Sequence, residues 1–377
     1  MTKKIFIIST VLLGIALLFL GVYNFVFKKD SADNSGNILS NEELKNNSSA
    51  RKEKAAIVKI SEDQVLRAVL VKDSEKIKYY ATDGTVWETG IDGNGKKQIS
   101  SDKLSGLQNA FWSPDGTRVI TSFSKDGASE FFTYDYQTKK AFKLKNNLDS
   151  VIWDNIGARI IYKYYDQKSG ERTLNVANPD GGDWKKLADL NFKNLSAFPI
   201  PQTSLISFWN TPAANEESLL QSVGISGGDV QKIFSGRFGA DYLWSPDGNS
   251  ALVSSLSEKN GKFFTLGVID RSGAYRDLNV PTMVSKCVWS ADKRTVYYAL
   301  PGSIPENSVI PDDYMAKKFF TTDTFWKIDI STGKKERLAE LADIDSQYDV
   351  TKPFLSSGES ALIFTNRVDG KLYKIEL

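Results

Sequence analysis

The sequence predicts an all-β fold built from repeated hairpins, and three observations carry that expectation. Phe111-Trp112-Ser113-Pro114-Asp115-Gly116 returns as Leu243-Trp244-Ser245-Pro246-Asp247-Gly248 and, altered, as Val288-Trp289-Ser290-Ala291-Asp292-Lys293. An apolar pair, a tight turn and a second apolar run spell two short strands and the hairpin that joins them. The unit recurs at a nearly even period, and each period has room for four strands, as at 119–123, 131–135 and 141–144 after the first. A four-stranded repeat of this length is the blade of a β-propeller.

Aligned on the tryptophan, the units fall at positions 70, 112, 153, 199, 244, 289 and 355, in steps of 42, 41, 46, 45, 45 and 66. The last step is lengthened by one insertion, so the count is seven blades, with six or eight as alternatives. The final unit ends after a third strand at 371–376, and an orphan apolar strand at 55–60 precedes the first unit. Placed outermost on the last blade, the orphan strand closes the ring. The expected propeller domain is 55–377.

Before it, residues 1–4 form a short basic tail. Residues 5–27 hold no charge, and a helix of that length spans a bilayer core of about 30 Å. They read as an uncleaved signal-anchor that places the carboxyl-terminal domain outside the cell membrane. Residues 28–54, rich in Ser, Asn, Lys and Glu, read as a flexible linker.

Composition narrows function by exclusion. The 48 Lys+Arg balance 46 Asp+Glu without clustering, which argues against a nucleic-acid binder. The sequence holds no histidine, so no Ser-His-Asp triad, Cys-His pair or histidine-ligated zinc site can be built. Carboxylate catalysis, or Ser with Lys, remains chemically open. The lone Cys287, beside Trp289 in an apolar run, reads as a small buried hydrophobe. No cofactor and no metal is expected.

The Trp-Ser-Pro-Asp-Gly hairpin resembles the repeat of TolB-type, WD-like propellers, and the propeller portions of prolyl-oligopeptidase-like enzymes. The match is strong at Trp112 and Trp244, and moderate at Trp153 and Trp289. It implies a fold and a habit of binding protein partners, and TolB-like proteins are periplasmic. This sequence departs from them in its membrane anchor and in lacking a preceding globular domain. It lacks the hydrolase domain of the peptidases too.

Most of the distinctive residues have a backbone explanation. Asp115 and Asp247 precede glycine in turns, where Asp caps its own turn and Gly takes positive φ. The repeated Trp reads as packing between blades. Asp92-Gly93-Asn94-Gly95 and Asp180-Gly181-Gly182-Asp183 lack the ligand spacing of a calcium loop and read as hairpins. The polar loop 211–217 is a weak second candidate.

The insertion at 301–324 is different. Long loops inside compact domains are often functional. It combines Pro301, Pro305 and Pro311 with Asp312, Asp313, Tyr314, Met315, Lys317, Lys318, Phe319 and Phe320. Two readings stay open: a protein-binding surface, or a cover that folds over the channel and buries its own aromatics. The expected function is a noncatalytic, membrane-anchored scaffold, not an enzyme, that binds a protein, peptide or envelope component. The alternatives are an architectural subunit of an envelope complex, or a carboxylate-dependent glycan-active enzyme at the channel mouth. Asp312, Asp313 and Asp323 would be the enzyme's candidate carboxylates.

Overall fold

A computed structural model describes residues 57–125 and 127–377. The predicted membrane span at 5–27, the linker at 28–54 and residues 55 and 56 lie outside the described residues. Among the described residues, no helix is long and apolar enough to cross a membrane.

The regular structure is almost entirely antiparallel β, in five sheets of four strands and one of seven. Each of the seven repeat positions read from the sequence ends a strand: Val65–Leu70, Leu107–Trp112, Leu148–Trp153, Leu195–Pro199, Gln231–Trp244, Cys287–Trp289 and Val350–Leu355. Neighbours in this set lie against one another from the first to the fourth and again between the sixth and the last, and Lys352 of the last donates to the Leu66 carbonyl of the first. These strands therefore ring a common axis, and the rest of each sheet meanders outward. Within the seven-stranded sheet, the long strand Gln231–Trp244 passes Gly236 and Gly239, both at positive φ, with register shifts on both sides.

The ring closes as the orphan strand predicts. Ile57–Lys59 pairs with Leu372–Glu376 through Ile57↔Ile375, Val58↔Lys374 and Lys59↔Tyr373. The core is divided among clusters, of which most span two successive sheets and one lies within the seven-stranded sheet. One joins Ile77 and Tyr79 of the first sheet to Ile363 and Leu372 of the last.

The repeated motif builds this frame. Ser113 Oγ donates to Asp115 Oδ1 at 2.5 Å, and the amides of Thr117 and Arg118 donate to Asp115 Oδ1 and Ser113 Oγ at 3.1 and 2.9 Å. Ser245 and Asp247 repeat the pattern. Both carboxylates are spent inside their own turns. Gly248, at φ +67°, shows why the turn needs glycine: a Cβ there would lie 2.2 Å from the Pro201 carbonyl oxygen. The tryptophans bridge sheets. Trp153 Nε1 donates to the Phe111 carbonyl at 2.8 Å, and Trp289 Nε1 to the equivalent Leu243 carbonyl at 3.0 Å. Cys287 is buried, and desolvation raises its thiol pKa.

The structure trims the insertion. Pro301 and Gly302 continue the strand Thr295–Gly302, and Thr322, Asp323 and Thr324 belong to Thr322–Asp329. Pro301 pairs with Asp323 and Gly302 with Thr322. A proline is tolerated in a strand where the ladder needs no donor from it. The loop proper is 303–321, and it holds a single α-helical turn, Asp312–Met315.

Candidate functional site

The insertion folds back onto the ring. Asp312 Oδ2 accepts from the Ala214 amide at 2.8 Å, tying it to the 211–217 loop. Asp313 accepts from the Val309 amide at 2.8 Å and pairs with Lys318 at 2.6 Å, and that lysine holds its carboxyl below the usual carboxylate range. Tyr314 is buried, and its ring lies 5.9 Å from that of Phe319. Met315 and Phe320 stay exposed, at 50% and 38%, and Lys317 is exposed as well, with no ion-pair partner among the described residues. The cover and the exposed surface are thus two sides of one loop. Neither Asp312 nor Asp313 is free to act as a catalytic carboxyl, because the Ala214 amide holds the first and the Val309 amide and Lys318 hold the second.

Tyr314 ends in a buried charge network that the sequence reading missed. Lys286 Nζ lies 2.6 Å from Asp323 Oδ2, 2.7 Å from Asp349 Oδ1, 3.0 Å from Thr321 Oγ1 and 3.1 Å from the Val350 carbonyl. Lys286, Asp323 and Asp349 are all fully buried. The Tyr314 hydroxyl donates to Asp349 Oδ1 at 2.6 Å. Arg367 donates to Asp349 Oδ2 at 3.3 Å and to the Tyr314 carbonyl at 2.9 Å, and stacks 3.9 Å above the Tyr314 ring. Two cations face two carboxylates. Burial works against the Lys286 ammonium, but Asp323, with Tyr314 and Asp349, outweighs it and raises the pKa. Asp323, the third expected carboxylate, is therefore an architectural partner of Lys286. The network sews the sheet that begins at Cys287–Trp289 to the last one and pins the loop over both.

Beside the network lies a cavity of about 290 Å³, walled by Asp241, Ser285, Tyr314, Met315, Lys317 and Arg367 among others. Its one carboxylate is Asp241, near the end of Gln231–Trp244. Asp241 Oδ1 accepts from Trp209 Nε1 and from the Tyr242 amide, both at 3.1 Å. Desolvation nevertheless pushes its pKa up to about 6, although the side chain keeps some accessible surface.

A roomier cavity of about 940 Å³ opens between the first and second sheets, lined by Tyr80, Ile99, Phe123, Phe132 and Tyr134. It lies away from the insertion, and its Glu130 is occupied by Lys143 at 2.7 Å. Volume alone favours it. Convergent polar groups favour the smaller cavity, and those decide chemistry.

No protein-family profile matches the chain, and no curated protein does. Solved structures do. An oligogalacturonate lyase in complex with manganese aligns at TM-score 0.62 and 15% identity over 86% of this chain and 94% of that one. The oligogalacturonate lyase from Vibrio parahaemolyticus aligns at TM-score 0.59 and 11% identity, with the same coverage. The β-propeller domain of the Trilobed protease from Pyrococcus furiosus aligns at TM-score 0.54 and 12% identity, over 86% and 96%. Structures of TolB are among the matches too. The likeness shows the fold: this chain is a β-propeller.

These findings correct the expected function. The noncatalytic scaffold rested on the anchor, the tether, the TolB resemblance and the missing catalytic inventory. The two lyases align with this chain over 94% of their own length, so in them a propeller of this size is by itself the scaffold of an enzyme. The expectation of no enzyme falls with that premise. Manganese is a separate matter. The sequence has no histidine, no three metal-binding side chains cluster among the described residues, and Lys286 already fills the space between the two buried carboxylates. The donor set does not fit a manganese site.

Proposed function

We propose that this chain is a carboxylate-dependent enzyme that cleaves acidic glycans at the channel mouth. One observation carries the reading: Asp241, raised to about 6, opens into the same cavity as Lys317, a cation with no ion-pair partner among the described residues. A carboxyl tuned toward neutrality suits a general base. Hydrolysis by a carboxyl pair is disfavoured, because Asp323 and Asp349 are tied to Lys286 and only Asp241 remains. Elimination needs a single base. In a uronate residue the proton next to the carboxylate becomes acidic when a cation neutralises that carboxylate. Asp241 takes the proton, the released electron pair forms a carbon–carbon double bond, and the carbon–oxygen bond on the adjoining carbon breaks, its oxygen leaving as the alcohol with a proton taken from water. The similar solved structures are named for cleavage of this kind, lysis of an oligogalacturonate.

The test is incubation of the purified chain with oligogalacturonates. Elimination gives an unsaturated product that absorbs in the ultraviolet, whereas hydrolysis gives new reducing ends without that absorbance. Asp241→Asn should lower kcat roughly 10²- to 10⁴-fold. Undiminished turnover in that variant sinks the assignment of the base.

Finer readings belong to the same proposal. We read seven four-stranded blades, counting Gln231–Trp244 as the last strand of one and the first of the next. Its glycine bends support the count, as does a core cluster inside the seven-stranded sheet that joins Trp209 and Leu220 to Ala251 and Ile269. The uncharged segment 5–27 is read as the membrane anchor and 28–54 as its tether, with the propeller outside the cell. Such a placement would bring the site to polymeric glycans without import.

A further inference from the structure

Three cations converge at the channel where the last sheet meets the first. Arg67 and Lys352 each stand three residues before the end of their innermost strands, Val65–Leu70 and Val350–Leu355, where both strands depart from regular register. Lys352 Nζ donates to the carbonyl of Leu66, the residue next to Arg67, at 3.2 Å. Lys317 comes from the insertion and shares the cavity wall with Thr351, the neighbour of Lys352. Arg67 and Lys317 are close enough to press on the Lys352 ammonium. None of the three forms an ion pair with a carboxylate among the described residues, in a chain where buried Lys286 has two.

We infer that Arg67, Lys317 and Lys352 form an oxyanion-binding site within the channel, which takes the carboxylate of a uronic acid residue; that this residue belongs to a substrate rests on the function proposed above. Like charges held close to one another repel, and an anion among them removes the repulsion. Arg67 supplies a planar donor fork suited to a carboxylate, and the lysines supply point charges from the other sides. Its guanidinium also lies 5.7 Å from the Phe111 ring, which restrains its direction. Desolvation, with Arg67 and Lys317, pushes the Lys352 ammonium down to about 8, as expected of a site that lacks its counter-charge.

The test uses the full chain and isothermal titration with sodium glucuronate, sodium phosphate and glucose at fixed ionic strength. Both anions should bind and glucose should not. Arg67→Gln and Lys352→Gln should each weaken anion binding roughly tenfold or more, while Lys140→Gln, on an exposed strand, should not. Tighter binding of glucuronate than of phosphate supports a sugar-bearing ligand, and equal affinity supports a site for free oxyanions. Lys352→Gln keeps the test valid should Arg67→Gln fail to fold. Binding as tight as wild type in both variants, or equal weakening in Lys140→Gln, overturns the site. Anion binding that depends on Arg67 and Lys352, in a chain that cleaves no oligogalacturonate, keeps the site and removes the proposed reaction. Cleavage that persists unchanged in both variants does the reverse.

Discussion

Lys286 and Lys352 hold the same place relative to the ends of their innermost strands and live in opposite surroundings. Lys286 is fully buried, and two carboxylates, a threonine hydroxyl and a carbonyl surround its ammonium. Lys352 keeps accessible surface, makes one hydrogen bond to a carbonyl and faces two other cations. The first pKa is raised and the second lowered. The difference separates architecture from site. A charge that the fold fully partners has no capacity left for a ligand, whereas a charge set beside like charges and left unpartnered lowers stability and persists where something outside the fold completes it.

The largest expected effect comes from the partnered side. Lys286→Met leaves Asp323 and Asp349 buried with their ammonium removed, and only Arg367 remains to face Asp349. Breaking a buried pair by removing one partner costs about 3–5 kcal/mol. Urea unfolding followed by tryptophan fluorescence should show a loss of that size. A loss below about 1 kcal/mol, the scale of a surface ion pair, would erase the distinction between the two lysines.

Next comes the link between network and loop. Tyr314→Phe removes the donor to Asp349 Oδ1 and keeps the ring between Lys286 and Arg367. Leaving a buried acceptor short of a donor costs roughly 1–3 kcal/mol. Because the hydroxyl pins the 303–321 loop to the ring, the same variant should be cleaved faster by protease within that loop. Unchanged cleavage would mean that Asp312 and its bond to Ala214 hold the loop without help.

The frame was legible in the sequence because its determinants are local. Ser113, Asp115 and Gly116 make their turn with neighbours two to five residues away, and the period places every innermost strand end. The closing strand was legible from a count of strands at the two termini. The site was legible only in part. Asp312, Asp313, Tyr314 and Lys317 mark the right loop, yet the loop's carboxylates serve the loop itself. Asp241, Arg367 and Asp349 escaped notice because contacts between distant segments give them meaning, as in the 63 residues that separate Lys286 from Asp349. One signal was present and unused. The position three residues before each strand end reads Arg67, Asn109, Ser150, Ser196, Asp241, Lys286 and Lys352, a polar column inside an apolar repeat.

That column sets a smaller, pH-dependent effect. Desolvation raises folded Asp241 to about 6, against an ordinary value of about 4. Between those values the folded state holds a proton that the unfolded chain has released. Its contribution to stability is complete below about pH 4 and is lost as pH rises through 6. Asp241→Asn keeps the acceptor for Trp209 and removes the titration. The variant should melt with the wild type near pH 4 and above it at pH 7. Parallel melting curves across that range would show that Asp241 is solvated, and would weaken its claim as the base.

The smallest effect tests the unpartnered side directly. Folded Lys352 titrates near 8 and the unfolded side chain near 10.5, so between those values the unfolded state binds the extra proton. Stability from this group is present above the unfolded value and is lost as pH falls through the folded one. At neutral pH the ammonium is therefore a burden, and Lys352→Gln should raise the melting temperature at pH 7 by an amount that shrinks toward pH 10. Lys286→Met has the opposite sign at neutral pH, although both changes remove one lysine charge. Added glucuronate should narrow the Lys352 difference by stabilising the wild type alone, because an anion among Arg67, Lys317 and Lys352 replaces the partner that the fold withholds. A Lys352→Gln variant less stable than wild type at pH 7 would make Lys352 a second Lys286, and the channel would lose its claim to an anion.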